Sequence, residues 1–165
     1  MLRVRDGVVW RQWAPLPLRL VIGCGFVVHG WAKLTRGPEG FAKLLEQISV
    51  PLPEMTAWAS TLLEILGGLA ILAGAFVAIV SVPLIVMMLV AMFTVHLRYG
   101  FSAINTIGLT ASGPQFSPPG YEVNLLYIAG LLALILGGAG PLSIDRLLLQ
   151  RNRMSAAPLP HRKTP

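Results

Sequence analysis

The sequence predicts an all-α, membrane-spanning four-helix bundle with a short amphipathic helix in its first outer loop. Three observations lead there. Hydrophobic residues make up 55% of the chain and charged ones only 12%, where a soluble domain carries roughly 25% charged residues. Mean hydropathy is +0.69. The apolar residues also fall into four runs, each close to the roughly 20 residues that cross a bilayer as a helix.

The first run extends from Ala14 to Leu34, after a basic segment, residues 1–13, that carries Arg3, Arg5 and Arg11. Pro15 and Pro17 open it, where proline costs little because no intrahelical N–H is lost. Arg19 and His29 interrupt the run and no small-x-small site follows it, so it reads as a retained helix rather than a secretory signal. Next, Phe41, Leu44, Leu45 and Ile48 recur at helical spacing and predict a short helix on the outer membrane surface, ended by Pro51-Leu52-Pro53. The second run, Thr56–Phe76, and the third, Ala78–Leu97, are nearly continuous, which predicts a tight hairpin. Gly74, Ser81 and Pro83 mark where the chain can turn. Residues Ser102–Gly120, rich in Gly, Pro, Ser and Thr, form a loop long enough to fold over the outer mouth. The fourth run is Val123–Gly140. The four-helix region thus covers residues 14–145. A basic, largely disordered tail is expected over 146–165, most plainly from Met154 onward.

The net charge of +6 has the wrong distribution for a nucleic-acid binder. Basic residues gather at the chain ends, with Arg146, Arg151, Arg153, Arg162 and Lys163 following the last run. Such flanks set topology and touch anionic headgroups, so the expected partner is the lipid bilayer, with both termini cytoplasmic. Trp10 and Trp13 mark one interface; Trp31, Trp58, Tyr99 and Tyr121 mark the other. The single cysteine, Cys24, excludes an intramolecular disulfide and thiol-exchange chemistry and reads as a small packing residue. No metal-ligand spacing is present. Gly67-Gly68, Gly74, Gly130 and Gly137-Gly138 are expected to allow close helix packing.

The ionisable residues in the apolar runs carry the functional information, because each costs a few kcal/mol at mid-bilayer. Arg19, His29 and Lys33 fall within an arc of roughly 80° on one helix face. Glu64 lies roughly 12 Å below the outer start of its run. His96 and Arg98 end the third run, and Glu122 and Asn124 open the fourth. A bundle that turns the Arg19 face inward gathers two histidines, several cations and two carboxylates beneath the outer surface. Glu64, His29 and His96 are the candidate catalytic groups, since histidines titrate near neutral pH and a deep carboxylate can exchange protons. The plainer alternatives are snorkelling for Lys33, Arg98 and Glu122, lipid contact for Arg19, and hydrogen-bonded core histidines.

These residues together resemble the DoxX family of membrane proteins. The resemblance rests on Arg19, His29-Gly30 and Lys33-Leu34, then on Glu64-Ile65-Leu66-Gly67-Gly68. It continues through His96, Gly100-Phe101, Glu122 and Tyr127 to Gly138-Ala139-Gly140 and Ser143-Ile144-Asp145. It implies a four-helix protein of the bacterial inner membrane that takes part in redox chemistry, including quinone-linked oxidation. Two features depart from the family pattern: there is no thiol-redox extension, and the loop Asn105–Gly120 is longer.

The function expected from residues and resemblance together is a membrane subunit of a redox assembly that handles quinone or anchors a partner redox subunit. Arg19, His29, Lys33, Glu64, His96, Glu122 and Tyr127 are the candidate quinone-binding residues. No flavin, nicotinamide or iron–sulfur motif is present, so any such chemistry is expected from the partner, and a homo-oligomer is also compatible. The alternatives are a small transporter or accessory scaffold and, less favoured, a b-type haem protein with His29 and His96 as axial ligands.

Overall fold

The computed structural model describes residues 10–155. Arg3 and Arg5, and the tail beyond Ser155 with Arg162 and Lys163, lie outside the described residues. The chain forms α1 (Pro15–Arg36), α2 (Pro38–Gln47), α3 (Pro53–Ala73) and α4 (Val77–Ala91). Helix α4 continues through a π-helical segment, Met92–His96, and a 3-10 turn, Leu97–Tyr99. Strands β1 (Thr106–Thr110) and β2 (Gly113–Phe116) follow, then α5 (Glu122–Gly137) and α6 (Ile144–Ser155). Helices α1, α2 and α3 each begin with proline, whose fixed φ suits a first helical position and whose missing N–H would have no partner there.

Among the described residues, three helical stretches are long and apolar enough to cross a membrane: Pro15–Arg36, Pro53–Ala73 and Val77–Tyr99. Helix α5 is shorter than the fourth run suggested. Its 16 residues extend roughly 24 Å, and it stops at Gly137 because Gly138 and Gly140, with φ of 75° and 72°, turn the chain away. The hairpin corner lies at Gly74–Phe76, where both named residues are left-handed; Ser81 and Pro83 are inside α4 and are not turn residues.

Helix α1 packs on α3 and on α5, and α4 packs on the same two, so the four long helices close a ring. Inside it lie Ile22, Phe26, Ile71, Leu84, Leu131 and Leu134. Helices α1 and α3 touch through backbone: a Cβ on Gly68 would lie 2.8 Å from the Gly23 carbonyl oxygen and 2.9 Å from the Val27 nitrogen. Only glycine permits that approach. The outer surface of the ring is apolar, with Val21, Val28, Leu66, Ile79, Val86 and Leu136 exposed. Its interior holds, beside those apolar residues, Arg19, Thr61, Glu64, Ser81 and Asn124. An apolar outer surface with polar groups turned inward is the reverse of a water-soluble domain and suits hydrocarbon as solvent. Cys24 belongs to the exposed apolar surface, not to the packed interior.

Helix α2 buries Ala42 and Leu45 against Ala57, with Phe41 and Ile48 beside them. Leu44, although on the expected apolar face, is 40% exposed. A Cβ on Gly30 would sit 2.9 Å from Glu64 Cβ, so these residues are level. Gly30 is six residues from the end of α1 and Glu64 eleven from the start of α3, so α3 overhangs α1 by about 7 Å. Helix α2 packs against that overhang.

Two further expectations are corrected. The loop after α4 is not irregular throughout: β1 and β2 pair antiparallel, with Thr110 opposite Gly113 and a bulge between Thr106 and Gly108. The all-α class therefore holds for the apolar ring and fails for this segment. The chain after Asp145, read as tail from residue 146, is helical as far as Ser155.

Candidate functional site

A cavity of about 480 Å³ lies at the end of the ring that carries α2 and the base of the hairpin. Its polar wall is formed by His29 and Lys33 from α1, Glu64 from α3, His96 from the π-helical segment, and Asn124 and Tyr127 from α5. Phe26, Phe41, Leu44, Met88 and Val95 form the apolar remainder.

Glu64 is the deepest of the charged groups. Lys33 Nζ donates to Glu64 Oε1 at 2.9 Å, with side-chain exposures of 24% and 5%. The ammonium also lies 4.4 Å from the centroid of the Phe41 ring, so α2 contributes to holding it. The other carboxylate oxygen, Glu64 Oε2, is buried and has no hydrogen-bond partner among the described residues. Buried acceptors are rarely left that way, and such an exception calls for a ligand or a water.

His96 sits where the helix widens. A π-helical segment inserts an extra residue per turn and is frequent at functional sites. Here it brings His96 Nδ1 to 2.9 Å from the Pro119 carbonyl oxygen. Pro119 is held by the loop base, where Gly120, Tyr121 and Glu122 N–H groups bond to the carbonyls of Ser102, Gly100 and Phe101. Asn124 is buried and donates to the Met88 carbonyl at 3.3 Å. The Tyr127 ring meets Phe26 edge-on at 5.1 Å, and its hydroxyl lies over Gly25, where any Cβ would collide with it. His29 is exposed at the cavity's edge.

Two of the expected residues are elsewhere. Arg19 is 2% exposed at the opposite end of α1. Its Nε donates to the Ile71 carbonyl at 3.0 Å, and its two terminal nitrogens reach the carbonyls of Leu72, Ala139, Pro141 and Leu142. It therefore caps the C-terminus of α3 and the turn after α5, a use for five acceptors that only the guanidinium fork can serve. Glu122 accepts from the Ala103 N–H at 2.9 Å and ties the hairpin's base to α5. Neither residue lines the cavity.

Asp145, in the run Ser143-Ile144-Asp145, has a clear structural task. Its carboxylate accepts from the Phe76 and Val77 N–H groups at 2.6 and 3.0 Å, capping α4. Its own N–H bonds back to Gly74. Arg19 and Asp145 thus clamp the end of the ring farthest from the cavity. Met88 and Phe41 were missed as cavity residues, since nothing in an apolar helix position distinguishes a cavity wall from a core.

Among the described residues, no three His, Cys, Asp or Glu side chains cluster as a metal site. Comparison with known proteins matches the model of the DoxX family over residues 14–97, about half of the chain. A search of the curated proteins found no match. Nor did a search of the solved structures.

Proposed function

The chain belongs to the DoxX family of membrane proteins, and from that premise we propose that it is the quinone-handling membrane subunit of a redox assembly. The family is associated with redox-related roles at membranes. The observation that carries the reading is the cavity itself. It is largely apolar, of ligand-sized volume, and holds a half-buried ion pair, Lys33–Glu64, beside His96 and Tyr127. Small-molecule sites are typically about 300–1,000 Å³ with a few convergent polar groups. A quinone head group needs that combination: flat apolar walls for the ring, and hydrogen-bonding groups at its oxygens.

In this reading α1, α3, α4 with its extension, and α5 are four membrane spans. Helix α5 crosses with help from the glycine-rich turn after it. Both termini are cytoplasmic in a bacterial inner membrane, and α2 lies on the outer surface over the cavity. His29 and His96 take up or release protons at the outer side, and Lys33 with Glu64 orients the ring's oxygens. The chain's own part is to bind, orient and handle protons. The electron donor or acceptor is a partner subunit, and the hairpin is its dock. Residues 100–121 contain no charged side chain, and Ile104, Ile107, Leu109 and Phe116 are exposed.

The test is native mass spectrometry of the protein extracted gently from its own membrane, with liquid chromatography of the bound lipid. About one quinone per chain is expected, displaced by a short-chain quinone analogue. A chain carrying only phospholipid, and indifferent to the analogue, would sink the proposal.

A further inference from the structure

The buried polar atom of the cavity that lacks a partner is an acceptor, Glu64 Oε2. Lys33 is held between Glu64 Oε1 at 2.9 Å and the Phe41 ring at 4.4 Å. The Asn124 amide nitrogen is directed at the Met88 carbonyl. Glu64 Oε2, by contrast, is buried in a residue only 4% exposed and has no partner among the described residues.

His96 adds a second acceptor. A carbonyl oxygen can only accept, so the contact between Nδ1 and Pro119 O at 2.9 Å fixes the proton of the neutral ring on Nδ1. Nε2 is left with a lone pair. Tyr127, which can donate or accept, adapts to either. A ligand that reaches Glu64 Oε2 and His96 Nε2 must therefore bring the donors itself.

We infer that this cavity selects a head group whose ring hydroxyls donate to Glu64 Oε2 and His96 Nε2, and so holds the reduced quinol in preference to the oxidised quinone. This rests on the reading of the cavity as a quinone site. A quinone carbonyl placed against Glu64 Oε2 sets acceptor against acceptor in a desolvated site, whereas a quinol hydroxyl satisfies an oxygen that is otherwise orphaned. Neutral binding requires no change in the Lys33–Glu64 pair, since the hydroxyl takes the second oxygen and leaves the first in place.

The test is anaerobic isothermal titration of the full chain in nanodiscs with decylubiquinone and with its borohydride-reduced quinol. The quinol is expected to bind tenfold or more tightly than the quinone. In Glu64→Gln the amide oxygen keeps Lys33 and the amide nitrogen becomes a donor toward the cavity, so the preference reverses. Equal affinity for the two forms, or a preference unchanged in Glu64→Gln, overturns the inference while leaving the quinone site intact. Binding of neither form overturns both. Should Glu64→Gln not fold, the wild-type comparison alone decides. His96→Phe then provides the second measurement, with the preference for quinol over quinone expected to shrink; an equal fall in both counts against the inference.

Discussion

Lys33 Nζ and Glu64 Oε1 are 2.9 Å apart, joining α1 to α3 at the level of the cavity. Breaking a buried pair from one side strands a charge, which costs about 3–5 kcal/mol when both partners are fully buried. Lys33 is partly exposed, so Lys33→Met is expected to cost about 2–3 kcal/mol and lower the apparent Tm by about 5 °C or more. Lys33→Met combined with Glu64→Gln should recover most of it. Thermal unfolding of the single and double variants in detergent measures the difference. A double variant no better than the single would show that the pair is not coupled.

Arg19 serves five carbonyls from two chain segments, and a lysine ammonium has only three N–H groups. Arg19→Lys is expected to lose at least two of these five hydrogen bonds, at about 1–3 kcal/mol for each carbonyl left buried and unsatisfied. Size-exclusion profiles after extraction should show a reduced monodisperse fraction for Arg19→Lys and almost none for Arg19→Ala. A wild-type profile for Arg19→Ala would contradict the clamp.

Asp145 caps α4 and holds Phe76 in a left-handed conformation, at φ of 50°. Loss of a cap costs about 0.5–2 kcal/mol. Asp145→Ala is expected to destabilise by that amount, with Asp145→Asn falling between it and the wild type because one oxygen acceptor remains. Hydrogen exchange at the Phe76 and Val77 amides reports the same event locally and should rise in Asp145→Ala.

Tyr127 lines the cavity, its ring packed against Phe26 and its hydroxyl beside Gly25. Removing the hydroxyl keeps the ring. Tyr127→Phe should therefore leave the Tm within about 1 °C and weaken head-group binding by roughly tenfold, about one hydrogen bond. Unchanged binding would remove Tyr127 from the site.

The hairpin presents Ile107 and Leu109 to solvent and is tied to α5 by Glu122. Leu109→Asp is expected to reduce copurification of a redox partner severalfold while leaving the Tm and bound lipid unaltered. Retention of the partner at wild-type stoichiometry would place the dock elsewhere.

The membrane character, the apolar runs and the list of costly polar residues were legible in the sequence. Each follows from local composition: a run long enough to span, or a charge where hydrocarbon is expected. Helical spacing also marked Phe41, Leu45 and Ile48, which pack together with Ala57. The hairpin left a faint signal, Ile107 and Leu109 alternating with Thr and Gly, but the Gly- and Pro-rich context obscured it.

What only the tertiary structure decided was which of those residues meet. A helical wheel gives angle and not height, so it placed Arg19 with His29 and Lys33 although 14 residues, about 21 Å of helix, separate Arg19 from Lys33. Glu64 looked deep from the start of its own helix, yet α3 overhangs α1, and the pairing with Lys33 sets its true level. Glu122 lies at the cavity end of α5 but spends its carboxylate on the Ala103 N–H. The orphaned oxygen of Glu64 depends on which donors three other helices bring near it. Local sequence sets what each segment costs to bury, while the distances between segments set what those buried groups can do.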